Sequence, residues 1–120
     1  METPRERLPY SPIIDRPKLK LPRGARMAVW TIMNVEHWGS TNAQPRTILP
    51  PPMGQPLLPD IPNWSWHEYG NRAGFWRLRD LFKEYGVIPT LAMNGIIIES
   101  YRPIVDVALE DGWEFMGHGY

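Results

Sequence analysis

The stretch Arg26-Met-Ala-Val-Trp-Thr-Ile-Met-Asn-Val-Glu-His-Trp38 decides the fold that is predicted for this chain. From Met27 to Val35 it is mostly apolar and contains several β-branched residues, and then it becomes polar. A nearly unbroken apolar run of this kind predicts a strand near 27–36 that is buried on both faces, as strands of parallel sheets are.

The predicted strand ends in polar side chains that would lie at its carboxyl end. Because alternate residues of a strand share a face, Asn34 and Glu36 are expected on one side and His37 on the other. The chain can leave strand geometry near His37, so alternation alone does not fix the direction of its side chain. In α/β proteins the carboxyl ends of strands hold ligands and reacting groups.

Two amphipathic helical patterns alternate with two further apolar runs downstream of this strand. Apolar spacing predicts helices near 74–85 and 100–111, and the apolar runs predict strands near 87–93 and 113–118. Right-handed crossover connections would make all three strands of this βαβαβ order parallel. The fold class is therefore expected to be α/β.

Parallel order would bring the carboxyl ends of the three strands to the same edge of the sheet. Asn34 and Glu36 follow from the first strand, Asn94 from the second and His118 from the third. Each of these residues alone could simply be a polar group that ends a strand. Together they predict a site in which Glu36, Asn94 and His118 converge.

Two segments rich in proline flank the first strand. Residues 1–25 are expected to form an extended arm, and residues 26–120 to form the folded domain. Residues 39–66 are expected to form a long irregular loop that begins at the polar end of the strand. The loop could act as a lid over a substrate pocket, or it could be a surface loop without a role. A third reading is a polyproline ligand, because Pro59-Asp-Ile-Pro62 matches the PxxP pattern.

Composition limits the class of protein. The 120 residues are enough for one small domain, and the 13 basic and 13 acidic residues balance, which argues against a nucleic-acid binder. The absence of cysteine excludes disulfides and thiolate metal sites. The N-terminal residues lack the apolar core of a secretory signal, and no apolar run is long enough to span a membrane. A cytoplasmic location is the expectation.

Three short motifs resemble the polysaccharide deacetylase family, and most closely its branch of metal-independent allantoinases. They are Val35-Glu-His-Trp38, Trp66-His-Glu-Tyr-Gly-Asn-Arg72 and Glu114-Phe-Met-Gly-His-Gly-Tyr120. The resemblance implies a distorted (β/α) barrel, of which this chain would supply the N-terminal part, since a complete barrel takes roughly 250 residues. It also implies a hydrolase of non-peptide carbon–nitrogen bonds, with a role in carbohydrate metabolism as one possibility.

The resemblance also implies roles for individual residues. Glu36 falls at the position of the general base, His37 at the position of a metal-binding carboxylate, and His118 at the first of two metal-binding histidines. The second histidine would lie beyond Tyr120. His37 and His118 give fewer than the three ligands that are usual in catalytic zinc sites. The cofactor is thus expected to be either a divalent metal such as zinc or none.

In the metal-free reading, Glu36 is the general base and His118 stabilises charge electrostatically. Arg72, Asn34 and Asn94 are then expected to bind the substrate, a small amide or an acetylated sugar. Two other functions are open: a non-catalytic remnant that associates with itself or with a partner completing the barrel, and an unrelated small α/β binding domain with an open sheet.

Overall fold

The protein is described by a computed structural model over residues 8–120, apart from the side chain of Pro52. Residues 1–7 of the predicted arm lie outside this range. Short 3₁₀ turns occur at Ile13–Asp15, Pro22–Gly24 and Pro52–Gly54. The main elements follow in the order β1 (Ile32–Val35), α1 (Ile61–Tyr69), a π-helical turn (Gly70–Gly74), α2 (Phe75–Glu84), β2 (Thr90–Met93), α3 (Ile97–Ser100), α4 (Arg102–Glu110) and β3 (Glu114–Gly117).

The three strands form one parallel sheet in the order β1-β2-β3, which confirms the predicted parallel α/β arrangement. Asn34 lies beside Ala92, which lies beside Met116, so the strands stand in register. The carboxyl ends of the strands therefore meet at one edge of the sheet. No helix within residues 8–120 is long and apolar enough to cross a membrane.

The first strand is shorter and more exposed than its apolar sequence suggested. Met27 is 76% exposed, and strand pairing begins only at Ile32. Pairing with the neighbouring strand starts where Thr90 donates its backbone N–H to the carbonyl of Thr31 at 2.9 Å. The prediction that β1 is buried on both faces is wrong, since Met33 is buried while Ile32 is 41% exposed.

The predicted loop over residues 39–66 is wrong in its last part, because α1 begins at Ile61. Asp60 caps this helix by accepting a hydrogen bond from the backbone N–H of Asn63, and Pro62 lies in the first turn, where proline is tolerated. Helical backbone continues through the glycines that follow α1, since Gly70 and Gly74 have right-handed helical angles.

The helix predicted near 100–111 is divided into α3 and α4 by Tyr101. The backbone of Tyr101 leaves helical geometry (φ −137°, ψ 46°), and its side chain makes no capping hydrogen bond. Ser100 ends α3. The break directs the Tyr101 side chain toward the end of β1, where it contacts the ring of His37.

The hydrophobic core lies on one face of the sheet. Met33, Val35 and Leu91 share that face by strand alternation and pack in a single cluster with apolar residues of the connecting segments: Phe75, Ile97, Ile104, Val105, Ala108 and Trp113. Both crossover connections therefore cover the same side of the sheet. The opposite face carries Asn34, Ala92 and Met116, which lie two positions before Glu36, Asn94 and His118.

The described chain is more extended than a typical domain of its length. Its radius of gyration is 19.4 Å, whereas a compact domain of this size has about 14 Å. The extension comes from the segments rich in proline, in which Leu19 is 86% and Met53 93% exposed.

Asp111 joins the end of α4 to α2. It accepts hydrogen bonds from Arg79, and Lys83 Nζ lies 2.9 Å from its Oδ1. These two cations, Arg79 above all, lower the pKa of Asp111 to about 2. Since this carboxyl is only 10% exposed, the pairing ties the two crossover helices together.

We expect the Asp111→Asn substitution to lower the free energy of unfolding at pH 7 by about 1–2 kcal/mol. A pKa that is lower in the folded state stabilises the protein above the unfolded value of 3.8 and loses that effect as the pH falls through about 2. Urea unfolding should therefore show a difference that disappears between these pH values. Asp106→Asn is the control, because the Asp106–Arg102 pair is exposed and should contribute less than about 0.5 kcal/mol. An Asp111→Asn difference that is as large at pH 2 as at pH 7 would contradict this expectation.

Candidate functional site

The structure brings Glu36 and His118 together at the carboxyl edge of the sheet. His118 Nε2 lies 2.9 Å from Glu36 Oε1, and both side chains are partly exposed. They come from the two outer strands and reach toward each other past the end of β2. A carboxylate beside an imidazole, open to solvent, can accept a proton from a bound water and stabilise negative charge nearby.

The second carboxylate oxygen of Glu36 is held by Trp38. The indole Nε1 of Trp38 donates to Glu36 Oε2 at 2.8 Å, while His118 contacts the other oxygen. The carboxylate is thus oriented from both sides. Sequence reasoning had not assigned a role to Trp38, because an indole donor two residues further along gives no periodic signal.

Two buried asparagines fix the backbone on which Glu36 is mounted. Asn94 Oδ1 accepts the backbone N–H of His37 at 3.1 Å, and Asn94 Nδ2 donates to the His37 carbonyl at 3.2 Å. Asn71 Nδ2 donates to the Glu36 carbonyl at 2.9 Å. Both amides are 8% exposed, so these hydrogen bonds replace water at the end of β1. Asn94 holds the site together in this way, and its role in substrate binding stays a prediction.

Asn71 was missed by sequence reasoning because it lies in the π-helical turn. A π turn shifts the side chains that follow the ordinary helical period, and such turns occur often at functional sites. The shift places Asn71 inward, against the end of β1. Its neighbour Arg72 points outward, with a side chain that is 71% exposed and an Nε that lies 2.8 Å from Glu68 Oε2. This pairing raises the pKa of Arg72 through the hydrogen bond to Glu68.

His37 directs its Nδ1 toward Tyr101 rather than toward Glu36, although it borders the same cavity as Glu36 and His118. Its Nδ1 lies 3.2 Å from the hydroxyl of Tyr101, and that hydroxyl donates to Glu68, which is 6% exposed. Burial and the hydrogen bond to Glu68 raise the pKa of Tyr101 to about 12. His37, Tyr101, Glu68 and Arg72 therefore form a continuous polar chain beneath the end of β1.

Two cavities meet at Glu36 and Trp38. The larger, about 510 Å³, opens beside β1 and is lined by Asn34, Trp66, His67 and Asn71 among others. The smaller, about 390 Å³, contains His37, Asn94, His118 and Tyr120. Arg72 borders neither cavity, so the structure does not bring it to the other predicted substrate-binding residues.

The donor set offers little for a metal ion. Over residues 8–120 no group of three or more histidine, aspartate or glutamate side chains stands close enough to hold one. His118 Nε2 faces Glu36 and His37 Nδ1 faces Tyr101, so the two predicted ligands each have a protein partner. The residues described do not match the three-ligand arrangement of catalytic zinc, and we derive no step through a metal.

Comparison of the chain with protein-family models gave no match, and neither did searches of curated proteins and of solved structures.

Proposed function

We propose that this chain forms the N-terminal part of a hydrolase acting on non-peptide carbon–nitrogen bonds. The proposed family is that of the polysaccharide deacetylases, in the branch that resembles metal-independent allantoinases. The observation that carries the proposal is the 2.9 Å contact between His118 Nε2 and Glu36 Oε1 at the carboxyl edge of a parallel sheet. Reacting groups occupy this edge in (β/α) barrel enzymes.

The topology of the sheet supports a barrel rather than a doubly wound fold. The strands follow one another in sequence order, and Phe75 of the first crossover packs in the same cluster as Ile104 of the second. A doubly wound sheet covers both of its faces with helices, whereas a barrel places all of its helices outside. The face that carries Asn34 and Ala92 would then line the interior of the barrel.

The proposed chemistry is hydrolysis of an amide by water. Glu36 takes a proton from the water as the water oxygen bonds to the amide carbon. His118 stabilises the negative charge that develops on the carbonyl oxygen. When the carbon–nitrogen bond breaks, the proton held by Glu36 passes to the leaving nitrogen, so the products are a carboxylic acid and an amine, and the acid then loses its proton to solvent.

The substrate class follows from the proposed family and from the size of the site. The cavities of about 510 and 390 Å³ that flank Glu36 are in the range of small-molecule sites. N-acetylated sugars and ureides of the allantoin type are therefore the first substrates to examine. Asn34, which borders the larger cavity, is proposed to bind the substrate, together with Asn94.

The proposal is tested by measuring whether the full-length protein encoded by this reading frame releases acetate or a ureide. The isolated 120-residue chain is expected to give no detectable turnover. Three strands supply only part of a barrel mouth, and positioning provides much of the rate of such reactions. Turnover by the isolated chain at the rate of the full-length protein would contradict the barrel reading.

A second function is proposed from the open edges of the sheet, namely association with another copy of the chain or with a partner that completes the barrel. Within residues 8–120 no strand pairs with the outer edge of β1 or of β3. Unpaired edges are templates for added strands. The exposed apolar side chains Ile32 and Phe115, which are 41% and 40% exposed, favour the same outcome.

A further inference from the structure

The chemistry of the side chains in this polar chain fixes which of them donate and which accept hydrogen bonds. Arg72 Nε donates to Glu68 Oε2 in a charge-assisted hydrogen bond. An ionised carboxylate has no proton to give, so it acts only as an acceptor. The hydroxyl of Tyr101 therefore donates to Glu68, and Tyr101 has only one proton to donate.

The orientation of the Tyr101 hydroxyl fixes the proton on His37. Because the hydroxyl proton of Tyr101 points to Glu68, the Tyr101 oxygen can only accept a hydrogen bond from the imidazole, whose Nδ1 lies at 3.2 Å. In a neutral imidazole one nitrogen carries the proton and the other carries a lone pair. A proton on Nδ1 leaves the lone pair on Nε2.

We infer that Glu68, acting through Tyr101, selects the Nδ1–H tautomer of His37, so that Nε2 carries the lone pair beside the cavity that contains His118. His37 lines that cavity together with Asn94 and Glu36. A lone pair at this place accepts an N–H or O–H of a bound amide. His37 thereby becomes a substrate-binding residue of the proposed hydrolase, and Tyr101 and Glu68 are its positioning residues.

The rest of the surroundings agrees with a fixed ring. Asn94 binds both the N–H and the carbonyl of His37, so the backbone cannot rotate to change the partner of the imidazole. The Tyr101 ring packs against the imidazole, with centroids 5.5 Å apart and planes tilted by 57°. Burial of the Tyr101 hydroxyl keeps it protonated at neutral pH, as the chain of donors requires. Hydrogen bonds from outer residues commonly set the tautomer of a functional histidine in this way.

The test is ¹⁵N NMR of the chain labelled at histidine, at about pH 8, where an ordinary imidazole is neutral. The chemical shifts separate a protonated ring nitrogen from one with a lone pair, and the three histidines are assigned by the signal missing from His37→Gln. We expect His37 to show a proton on Nδ1 and a lone pair on Nε2. A wild-type His37 protonated at Nε2 would overturn the inference.

Removing the Tyr101 hydroxyl provides the second arm. In Tyr101→Phe we expect loss of the Nδ1–H signal of His37 in favour of the Nε2–H form, which is the more stable form of a free imidazole in water. Tyr120→Phe is the matched control, because Tyr120 borders the same cavity and its exposed hydroxyl reaches Glu99 instead. An unchanged His37 signal in folded Tyr101→Phe, or an equal change in Tyr120→Phe, would overturn the inference. The inference builds on the proposed function, but the signal reports the imidazole directly and is independent of turnover.

Discussion

Replacing Glu36 by glutamine should lower kcat for amide hydrolysis by about 10²–10⁴-fold in the full-length product of the reading frame. Glutamine has nearly the shape of glutamate, and its amide can still contact Trp38 and His118. It cannot accept a proton from water at neutral pH, so the loss should appear in kcat while KM changes little. Steady-state kinetics on the best of the acetylated sugars and ureides measures both quantities.

Glu114→Gln is the matched control for this experiment. Glu114 belongs to the same sheet face but starts β3, at the end of the sheet opposite to Glu36, where it accepts a hydrogen bond from Thr90. A glutamine amide oxygen can accept the same bond, so kcat should stay within about threefold of wild type, which is less than 1 kcal/mol. A Glu36→Gln protein with wild-type kcat and an unchanged circular dichroism spectrum would remove Glu36 from the role of general base.

The isolated 120-residue chain should associate in solution. Its open strand edges and exposed apolar side chains favour pairing, so light scattering after size exclusion should give a mass above the 13.9 kDa of the monomer. A charge placed on the exposed face of the edge strand opposes this pairing. Ile32→Lys should therefore weaken association at least about tenfold, equivalent to about 1.4 kcal/mol.

Leu109→Lys is the control for the association experiment. Leu109 is 57% exposed in α4, which lies in the crossover between β2 and β3 rather than at an open strand edge. Charge at this position should leave the mass distribution unchanged. A wild-type chain that remains a 13.9 kDa monomer at all concentrations would contradict the proposed association.

The order of the strands could be predicted from the sequence because two apolar periodicities alternate along the chain. Amphipathic helices such as α2 and α4 repeat their apolar residues every three or four positions, and the strands between them are short apolar runs. Strand alternation left the direction of the His37 side chain open, and the structure places its Nδ1 beside Tyr101 rather than beside Glu36. The ends of the strands were not predictable in this way, because they depend on where neighbouring strands begin to pair.

The helix α1 and the polar chain beneath β1 escaped prediction for different reasons. The only buried residues of α1 are the polar Asn63 and Glu68, so the helix has no apolar stripe for a periodicity to detect. Asn71 reaches β1 through a π turn, which breaks the ordinary helical period. The contact of Tyr101 with His37 joins residues 64 positions apart and leaves no local signal.

The central claim is that water cleaves a carbon–nitrogen bond at the Glu36–His118 pair. The most direct measurement is mass spectrometry of the products formed from N-acetylated sugars and from allantoin in water enriched in ¹⁸O by the full-length protein, with Glu36→Gln run in parallel. We predict one ¹⁸O in the carboxylate product of wild-type turnover, and a loss of that product in Glu36→Gln. Folded full-length protein that cleaves neither substrate class, or that forms the labelled product equally fast in Glu36→Gln, would contradict the claim.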